Sequence, residues 1–148
     1  MANEGIKDVL ARGVNVLHKA VMKGTGGRIG GTGFGMPVVI LTTTGRKSGK
    51  QRTTMLTSPV NDDDRVVLVA SYGGDDRHPA WFLNLRDNPD VELEMHGKKR
   101  PMRAHVASAE EKKTLWPEVT EAYKGYAQYQ TKTDRDIPLV ILEPTNPR

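Results

Sequence analysis

The sequence predicts a mainly β protein of the α+β class, built as an antiparallel barrel that is closed or partly open. Six short segments in the middle of the chain are β-branched or alternate between apolar and polar residues, and turn residues bound each of them. Two helical segments interrupt these strands without producing the regular alternation of a parallel βαβ sheet. The strands are therefore expected to pair in antiparallel fashion around one core.

Composition narrows the class of protein. The 148 residues are 36% hydrophobic and 27% charged, which is typical of one globular domain, folded alone or as a homodimer. The absence of cysteine excludes disulfides, zinc-thiolate sites and cysteine nucleophiles. Because the chain has neither a signal-peptide pattern nor an apolar run long enough for a membrane span, the cytoplasm is the expected location.

The first predicted element is an amphipathic helix over residues 1–24. Its apolar positions recur every three to four residues, and its other face is basic. Such a helix either packs on a protein surface or lies on an anionic membrane. A glycine-rich linker is predicted over residues 25–37, and the barrel over residues 38–148. The glycines follow a helix and precede a strand, which is the wrong order for a dinucleotide-binding fingerprint.

The remaining elements follow from local pattern. Strands are predicted at residues 38–43, 53–60, 65–71, 91–95, 102–107 and 139–142. One helix is expected to begin near His78, with Pro79 as its first helical residue. A second begins at a capping box of Ser108 and Glu111 and continues to about Tyr129, broken into two pieces because Pro117 lacks a backbone N–H.

A basic hairpin is the first candidate site. Residues 42–52 contain four cations, Arg46, Lys47, Lys50 and Arg52, together with two glycines and several hydroxyls. Arginine offers a planar fork to phosphate, lysine a point charge, and glycines let backbone N–H groups approach an anion. The alternative is a solvated hairpin tip whose charge only prevents aggregation. The segment is not a P-loop, because the required spacing and the following helix are absent.

Two further segments could carry chemistry. The strand ending at Ala70 and Ser71 runs into two glycines, so a flat ring could lie against it, although ordinary loops look the same. Tyr123, Tyr126 and Tyr129 are spaced by three, and they could either wall an acceptor pocket or simply pack. His78 is a weak catalytic candidate, since no carboxylate is spaced to orient it.

Other site classes find no support. The four histidines lack metal-ligand spacing, and the chain has no hydrolase nucleophile elbow. No metal site is predicted, and any redox chemistry requires a bound cofactor. The net charge of +4 suggests an anionic partner, but the basic hairpin lacks the interleaved aromatics of a nucleic-acid site, so no nucleic acid is expected.

Several strings, taken in order, resemble the deazaflavin-dependent nitroreductase family. Its members use coenzyme F420 on a split β-barrel related to the FMN-binding one. The matching strings are Leu-Thr-Thr-Thr-Gly-Arg-Lys-Ser-Gly at 41–49 with Arg52, Val-Ala-Ser and Gly-Gly within 69–74, His-Pro-x-Trp-x-x-Asn-Leu at 78–85, Asn-Pro-x-Val at 88–91, Tyr-x-x-Tyr-Gln at 126–130 and Thr-Asp-Arg-x-Ile-Pro at 133–138.

The resemblance implies a reductase that passes a hydride from reduced F420 to a quinone, an activated alkene or a nitroaromatic. The residues that would hold the phosphate and the glutamate tail are Arg46, Lys47, Ser48 and Arg52. The strand residues beside the coenzyme would be Thr53, Thr54, Met55 and Leu56. The deazaflavin ring would contact Val69, Ala70, Ser71 and Tyr72. The short helix would close over the coenzyme with Ala80, Trp81, Phe82, Leu83 and Asn84. The acceptor would face Tyr123, Tyr126 and Tyr129, and the catalytic candidates are Ser71 and Tyr126.

Two alternatives stay open: an FMN-binding split-barrel oxidoreductase, and a protein that binds the deazaflavin without catalysis. A member of the resembled family has tyrosine, lysine and methionine where this chain has Thr57, Tyr72 and Ala80. These differences lie near the ring or the acceptor, so the coenzyme is better determined than the substrate.

Overall fold

The computed structural model describes residues 32–33, 35–62 and 64–145. Its strands are β1 (Thr32–Gly33), β2 (Met36–Thr44), β3 (Gln51–Thr57), β4 (Val60–Asn61), β5 (Val66–Val69), β6 (Asp90–Met95), β7 (Lys98–Val106) and β8 (Leu139–Pro144). Its helices are α1 (Ala80–Asp87), α2 (Ala109–Ala122) and α3 (Gly125–Thr131), and a short 3₁₀ turn spans Tyr72–Gly74. Every strand pair is antiparallel, as predicted.

The sheet curls into a split barrel because its two ends are joined in sequence. Hydrogen bonding runs in the order β1-β2-β6-β7-β8-β5-β4, with β3 on β2. Only residues 58 and 59 separate β3 from β4. The buried Ser58 holds this seam: its N–H donates to the Pro37 carbonyl at 3.0 Å, and its hydroxyl donates to the Val67 carbonyl at 2.8 Å. Predicted strand 53–60 is therefore wrong as one strand, because the chain changes partner at Ser58.

Two buried clusters lie on opposite faces of β5. Val66 and Leu68 belong to the cluster inside the barrel, which α1 covers with Phe82 and Leu85. The alternate residues of β5 belong to an outer cluster that includes Val119 of α2 and Tyr126 of α3. Strand β5 is thus buried on both faces, which its unbroken Val-Val-Leu-Val sequence allows. The expectation of one core becomes two clusters that share this strand.

The N-terminal boundaries differ from prediction. Strand β1 and the start of β2 fall within the predicted linker 25–37, and Met36 is already buried. The barrel therefore begins before residue 38. The predicted helix over residues 1–24 lies outside the described residues.

The helices confirm the predicted N-terminal cap of α2, but the predicted roles of two prolines are wrong. Ser108 and Glu111 form the capping box of α2: the Ser108 hydroxyl accepts from the Glu111 N–H, and the Glu111 carboxylate accepts from the Ser108 N–H. Pro79 is the N-cap of α1 rather than its first helical residue. Pro117 lies inside α2, and the break comes at Tyr123, whose extended backbone ends the helix. The predicted break at Pro117 is therefore wrong.

Candidate functional site

The basic hairpin joins β2 to β3 and presents its cations to solvent. Arg46, Lys47, Lys50 and Arg52 are all exposed. In the part of the chain that the structure describes, no carboxylate pairs with any of these four side chains. Four cations within seven residues repel one another, so a polyanion would relieve a cost that the protein alone carries.

The backbone of this hairpin is largely occupied by its own hydrogen bonds. The N–H groups of Gly45 and Gly49 donate to carbonyls within the turn, and that of Lys50 donates to Ser48 Oγ at 3.1 Å. A Cβ at Gly45 would lie 2.7 Å from Ser48 Oγ and 3.2 Å from the Lys50 carbonyl, so a side chain there would have to displace the Ser48 hydroxyl that accepts from Lys50. An anion would consequently be held mainly by side chains, and less by backbone N–H groups than the glycines suggested.

Asn84 connects the hairpin to α1. Its Oδ1 accepts from the Arg46 N–H at 3.1 Å, and its Nδ2 donates to Thr43 Oγ1 at 3.2 Å. The side chain is buried and both ends of its amide are used. Asn84 therefore fixes the position of the basic hairpin, and this contact places two of the predicted coenzyme segments side by side.

The loop after β5 is the second part of the site. Ser71 is buried, and its hydroxyl does not cap the 3₁₀ turn that follows. Tyr72, Gly73 and Gly74 all have positive φ angles, of 46°, 64° and 86°. The first is unusual for a residue with a side chain, and such backbone conformations concentrate at functional sites. The Arg77 guanidinium lies 5.4 Å from the centre of the Tyr72 ring.

His78 closes this loop as a neutral imidazole. Arg135 Nη1 lies 3.3 Å from His78 Nδ1. Because a guanidinium can only donate, Nδ1 must accept and the ring proton must be on Nε2. Burial, followed by the charges of Arg135 and Arg86, lowers the pKa of His78 below its usual value. The ring is also held against Phe82, with centroids 4.8 Å apart.

The three tyrosines converge in space although only two of them lie on α3. Ring centroids are 5.1 Å apart for Tyr123 and Tyr126, and Tyr129 is 6.3 Å from each. Tyr126 is buried, and its hydroxyl lies 3.3 Å from Thr57 Oγ1 and 3.8 Å from Met36 Sδ. The hydroxyls of Tyr123 and Tyr129 are 3.4 Å apart. The cluster thus offers one buried and two half-buried phenols.

These phenols resist ionisation. The hydrogen bond with Tyr123, then burial and the neighbouring phenols, raise the pKa of Tyr129 to about 12. Burial also raises the pKa of Tyr126, and the hydrogen bond with Thr57 opposes this only in part. Both side chains are therefore neutral and able to donate a hydrogen bond at any physiological pH.

A spectrophotometric titration tests this. The native protein is expected to ionise at least two of its four tyrosines well above pH 10, whereas all four should ionise near pH 10 in denaturant. The folded state retains protons that the unfolded state loses, so the stability from these phenols is complete below pH 10 and decreases as pH rises toward 12. Tyr129→Phe should remove the latest step, and identical native and denatured curves would contradict the assignment.

A comparison with known proteins identifies the family. A family model described as F420H(2)-dependent quinone reductase matches residues 15–144. The chain belongs to this family. It is thus a reductase that takes electrons from reduced F420 and passes them to quinones and similar acceptors. The predicted resemblance to F420-dependent reductases and the predicted hydride donor are both confirmed.

Individual relatives agree with the family model. The reductase is 41% identical over 133 residues to the F420H(2)-dependent quinone reductase Rv1261c of Mycobacterium tuberculosis strain H37Rv, covering 85% of this chain and 87% of that protein. A solved F420-H2 dependent reductase, FDR-A, is 44% identical with a TM-score of 0.66, covering 72% of this chain and 94% of the other. Another solved structure, described as a domain-swapped dimer, is 36% identical with a TM-score of 0.66 and 96% coverage of both chains.

A more distant protein shares this fold. The protein Atu2129 of Agrobacterium tumefaciens is 15% identical, with a TM-score of 0.60 over 75% of the reductase and 49% of that chain. At this identity the likeness concerns the fold alone. It agrees with the predicted antiparallel barrel of the α+β class, which the strand pairings confirm.

The predicted coenzyme residues differ in how deeply their side chains are buried. Arg46, Lys47, Ser48, Arg52, Thr53 and Ala80 are exposed, and Thr54, Leu56, Tyr72 and Leu83 are half-buried. Trp81 and Phe82 point their side chains into the inner cluster, as does Ala70. Val69 belongs to the outer cluster, and Met55 is buried. Coenzyme contact by every one of the predicted residues stays a prediction, and these last five have little side-chain surface to offer it.

Two residues that position the site were missed by sequence reasoning. Ser58 closes the barrel, and Arg135 holds the loop over residues 70–79, which we call the Ser71 loop. Thr57, which contacts Tyr126, was expected near the ring or the acceptor only through the family resemblance. Of the two missed residues, Arg135 alone left a signal, since it lies in a string that the resemblance shares. No helix within residues 32–33, 35–62 and 64–145 is both long and apolar enough to cross a membrane.

Proposed function

We propose that reduced F420 lies across the basic hairpin and the Ser71 loop, and that a quinone is reduced beside the tyrosine cluster. The observation that carries this proposal is the continuity of the three parts. Asn84 bonds the hairpin to α1, and the Tyr126 hydroxyl contacts the end of β3. At Gly74, the loop approaches Tyr129 so closely that a Cβ there would lie 2.8 Å from the Tyr129 carbonyl.

The residues present fit this coenzyme. The exposed cations at the hairpin, which pair with no carboxylate among the described residues, suit a phosphate and a carboxylate tail. Small residues at positions 70, 71, 73 and 74 leave room for a flat ring at the other end. When bound, the reduced coenzyme supplies the hydride. The chain then has to orient the acceptor and stabilise charge on its oxygen, which requires no strong acid or base.

Neutral hydroxyls can perform that task. Reduction of a quinone to a quinol takes one hydride, which brings both electrons, and one proton, which neutralises the single negative charge left on the acceptor oxygen. We assign polarisation of the acceptor oxygen to the Ser71 hydroxyl and to Tyr126 with its partner Thr57, and the final proton to solvent. The raised pKa of Tyr126 keeps its proton in place while it donates.

Turnover of single variants tests the assignment. Ser71→Ala and Tyr126→Phe are each expected to lower kcat for a soluble quinone about tenfold or more, because each loses a donor to the developing oxyanion. Coenzyme affinity should change much less. Thr114→Ala is the matched control, since its hydroxyl bonds only to its own helix at Glu110. If Ser71→Ala and Tyr126→Phe both retain full turnover, these roles are wrong.

The assembly and location are further parts of the proposal. We propose a homodimer, supported by the relative that is described as a domain-swapped dimer. The basic face of the segment over residues 1–24 supports peripheral contact with an anionic membrane from the cytoplasm. Light scattering and flotation with anionic vesicles measure these two properties independently. We propose no nucleic-acid partner.

A further inference from the structure

Arg135 lies in the Thr-Asp-Arg-x-Ile-Pro segment, which has no role so far in binding the coenzyme or the acceptor. Its Nη2 donates to the carbonyls of Ala70 at 3.2 Å and Ser71 at 2.9 Å. Its Nε donates to the Asp75 carbonyl at 2.8 Å. Its Nη1 faces His78 Nδ1 at 3.3 Å. One half-buried guanidinium therefore serves four acceptors.

These acceptors lie at both ends of one loop. Ala70 and Ser71 follow β5, whereas Asp75 and His78 come just before α1. Between them the backbone passes through three consecutive positive φ angles, of which the first, at Tyr72, is unfavourable for a residue with a side chain. The planar fork of arginine can bond all four groups at once, and a lysine ammonium cannot.

The tyrosine helix holds Arg135 from the other side. Gln130, next to Tyr129 on α3, donates to the Arg135 carbonyl at 2.8 Å and accepts from the Ile137 N–H at 3.0 Å. Thr133 adds a second tie, since its hydroxyl donates to Asp76 Oδ1 at 2.7 Å. The backbone of Arg135 thus belongs to the acceptor side of the site, and its guanidinium to the Ser71 side.

We infer that Arg135 is a positioning residue that fixes the Ser71 loop relative to the tyrosine helix. The inference rests on the proposed function of Ser71. Arg135 acts through the loop and not on the acceptor itself. Its loss displaces the Ser71 hydroxyl from the acceptor oxygen, and small displacements of such groups reduce the rate of the chemical step much more than they weaken binding.

Steady-state kinetics with F420H2 and menadione test this in the full-length reductase. Arg135→Lys keeps the charge but loses the fork, and it is expected to lower kcat about 10- to 100-fold while KM changes little. Arg135→Ala should behave likewise and regain part of its kcat when dilute guanidinium is added. Arg103→Ala is the control, because it removes an exposed arginine that pairs with Asp90 on the sheet surface, outside the proposed site. It should show wild-type kinetics.

A double variant separates this inference from the proposed function. If Arg135 acts through Ser71, the Arg135→Lys substitution should have little further effect in a Ser71→Ala background. Wild-type kcat in Arg135→Lys, or effects that multiply in full in the double variant, would overturn the inference while leaving the role of Ser71 standing. Full turnover in Ser71→Ala would instead refute the proposed role of Ser71, on which the inference rests. Thermal unfolding of Arg135→Lys shows whether it is folded, and the guanidinium rescue applies only to folded protein.

Discussion

Replacing Arg46 and Lys47 together by alanine is expected to weaken F420 binding about 100- to 1,000-fold. Hydrogen bonds to charged groups contribute about 1.5–3 kcal/mol each, and exposure of this hairpin reduces that value through solvent and salt screening. The fold should be unaffected, because neither side chain is buried and the Arg46 N–H that Asn84 binds belongs to the backbone. Quenching of tryptophan fluorescence on titration with F420 measures the affinity, since Trp81 lies on α1 beside the hairpin.

Two comparisons make this result specific. Lys98→Ala/Lys99→Ala removes the same charge from the exposed start of β7 and should leave F420 affinity unchanged. Added salt should weaken binding to the wild type more than to the Arg46→Ala/Lys47→Ala variant. A parallel titration with FMN distinguishes the alternative coenzyme. Undiminished F420 affinity in the hairpin variant would show that the phosphate is held elsewhere.

The strands of this fold could be predicted because their information is local. Segments such as Val66–Val69 and Leu139–Pro144 are rich in β-branched or apolar residues, and each is bounded by turn residues. The capping box at Ser108 is equally local, since both partners lie within one turn of helix. Barrel closure is not local. It depends on Ser58 reaching Val67 across the seam, and nothing in the spacing of these residues indicates that contact.

The candidate site could be predicted only as separate pieces. Positive charge at the hairpin and the spacing of the tyrosines were visible in the sequence, but their relative positions depend on contacts between distant residues. Asn84 and Arg46 are 38 positions apart, and Arg135 reaches Ser71 across 64. The helix break was misplaced for a different reason. Pro117 was expected to divide the helix, but it removes only one backbone hydrogen bond, and α2 continues past it to Ala122, where the extended backbone of Tyr123 ends it.

Two adjacent glycines provide the second large effect. Gly73 and Gly74 both have positive φ angles, of 64° and 86°, so alanine at either position carries a left-handed backbone cost of about 1–2 kcal/mol. Their surroundings differ. Nothing lies within 4 Å of a Cβ at Gly73, whereas a Cβ at Gly74 would meet the Tyr129 carbonyl at 2.8 Å and Lys132 Cβ at 2.9 Å. Only Gly74→Ala must push α3 away from the loop.

Gly74→Ala is therefore expected to lower the free energy of unfolding by about 2–5 kcal/mol, the sum of backbone strain and overpacking, against about 1–2 kcal/mol for Gly73→Ala. Urea unfolding measures this difference. Turnover should follow it, because displacement of α3 moves the tyrosines away from Ser71, and Gly73→Ala leaves that distance unchanged. Equal stability of the two variants would mean that the loop and α3 do not pack as closely as the structure shows. Equal turnover with unequal stability would mean that the tyrosine cluster packs but does not face the acceptor.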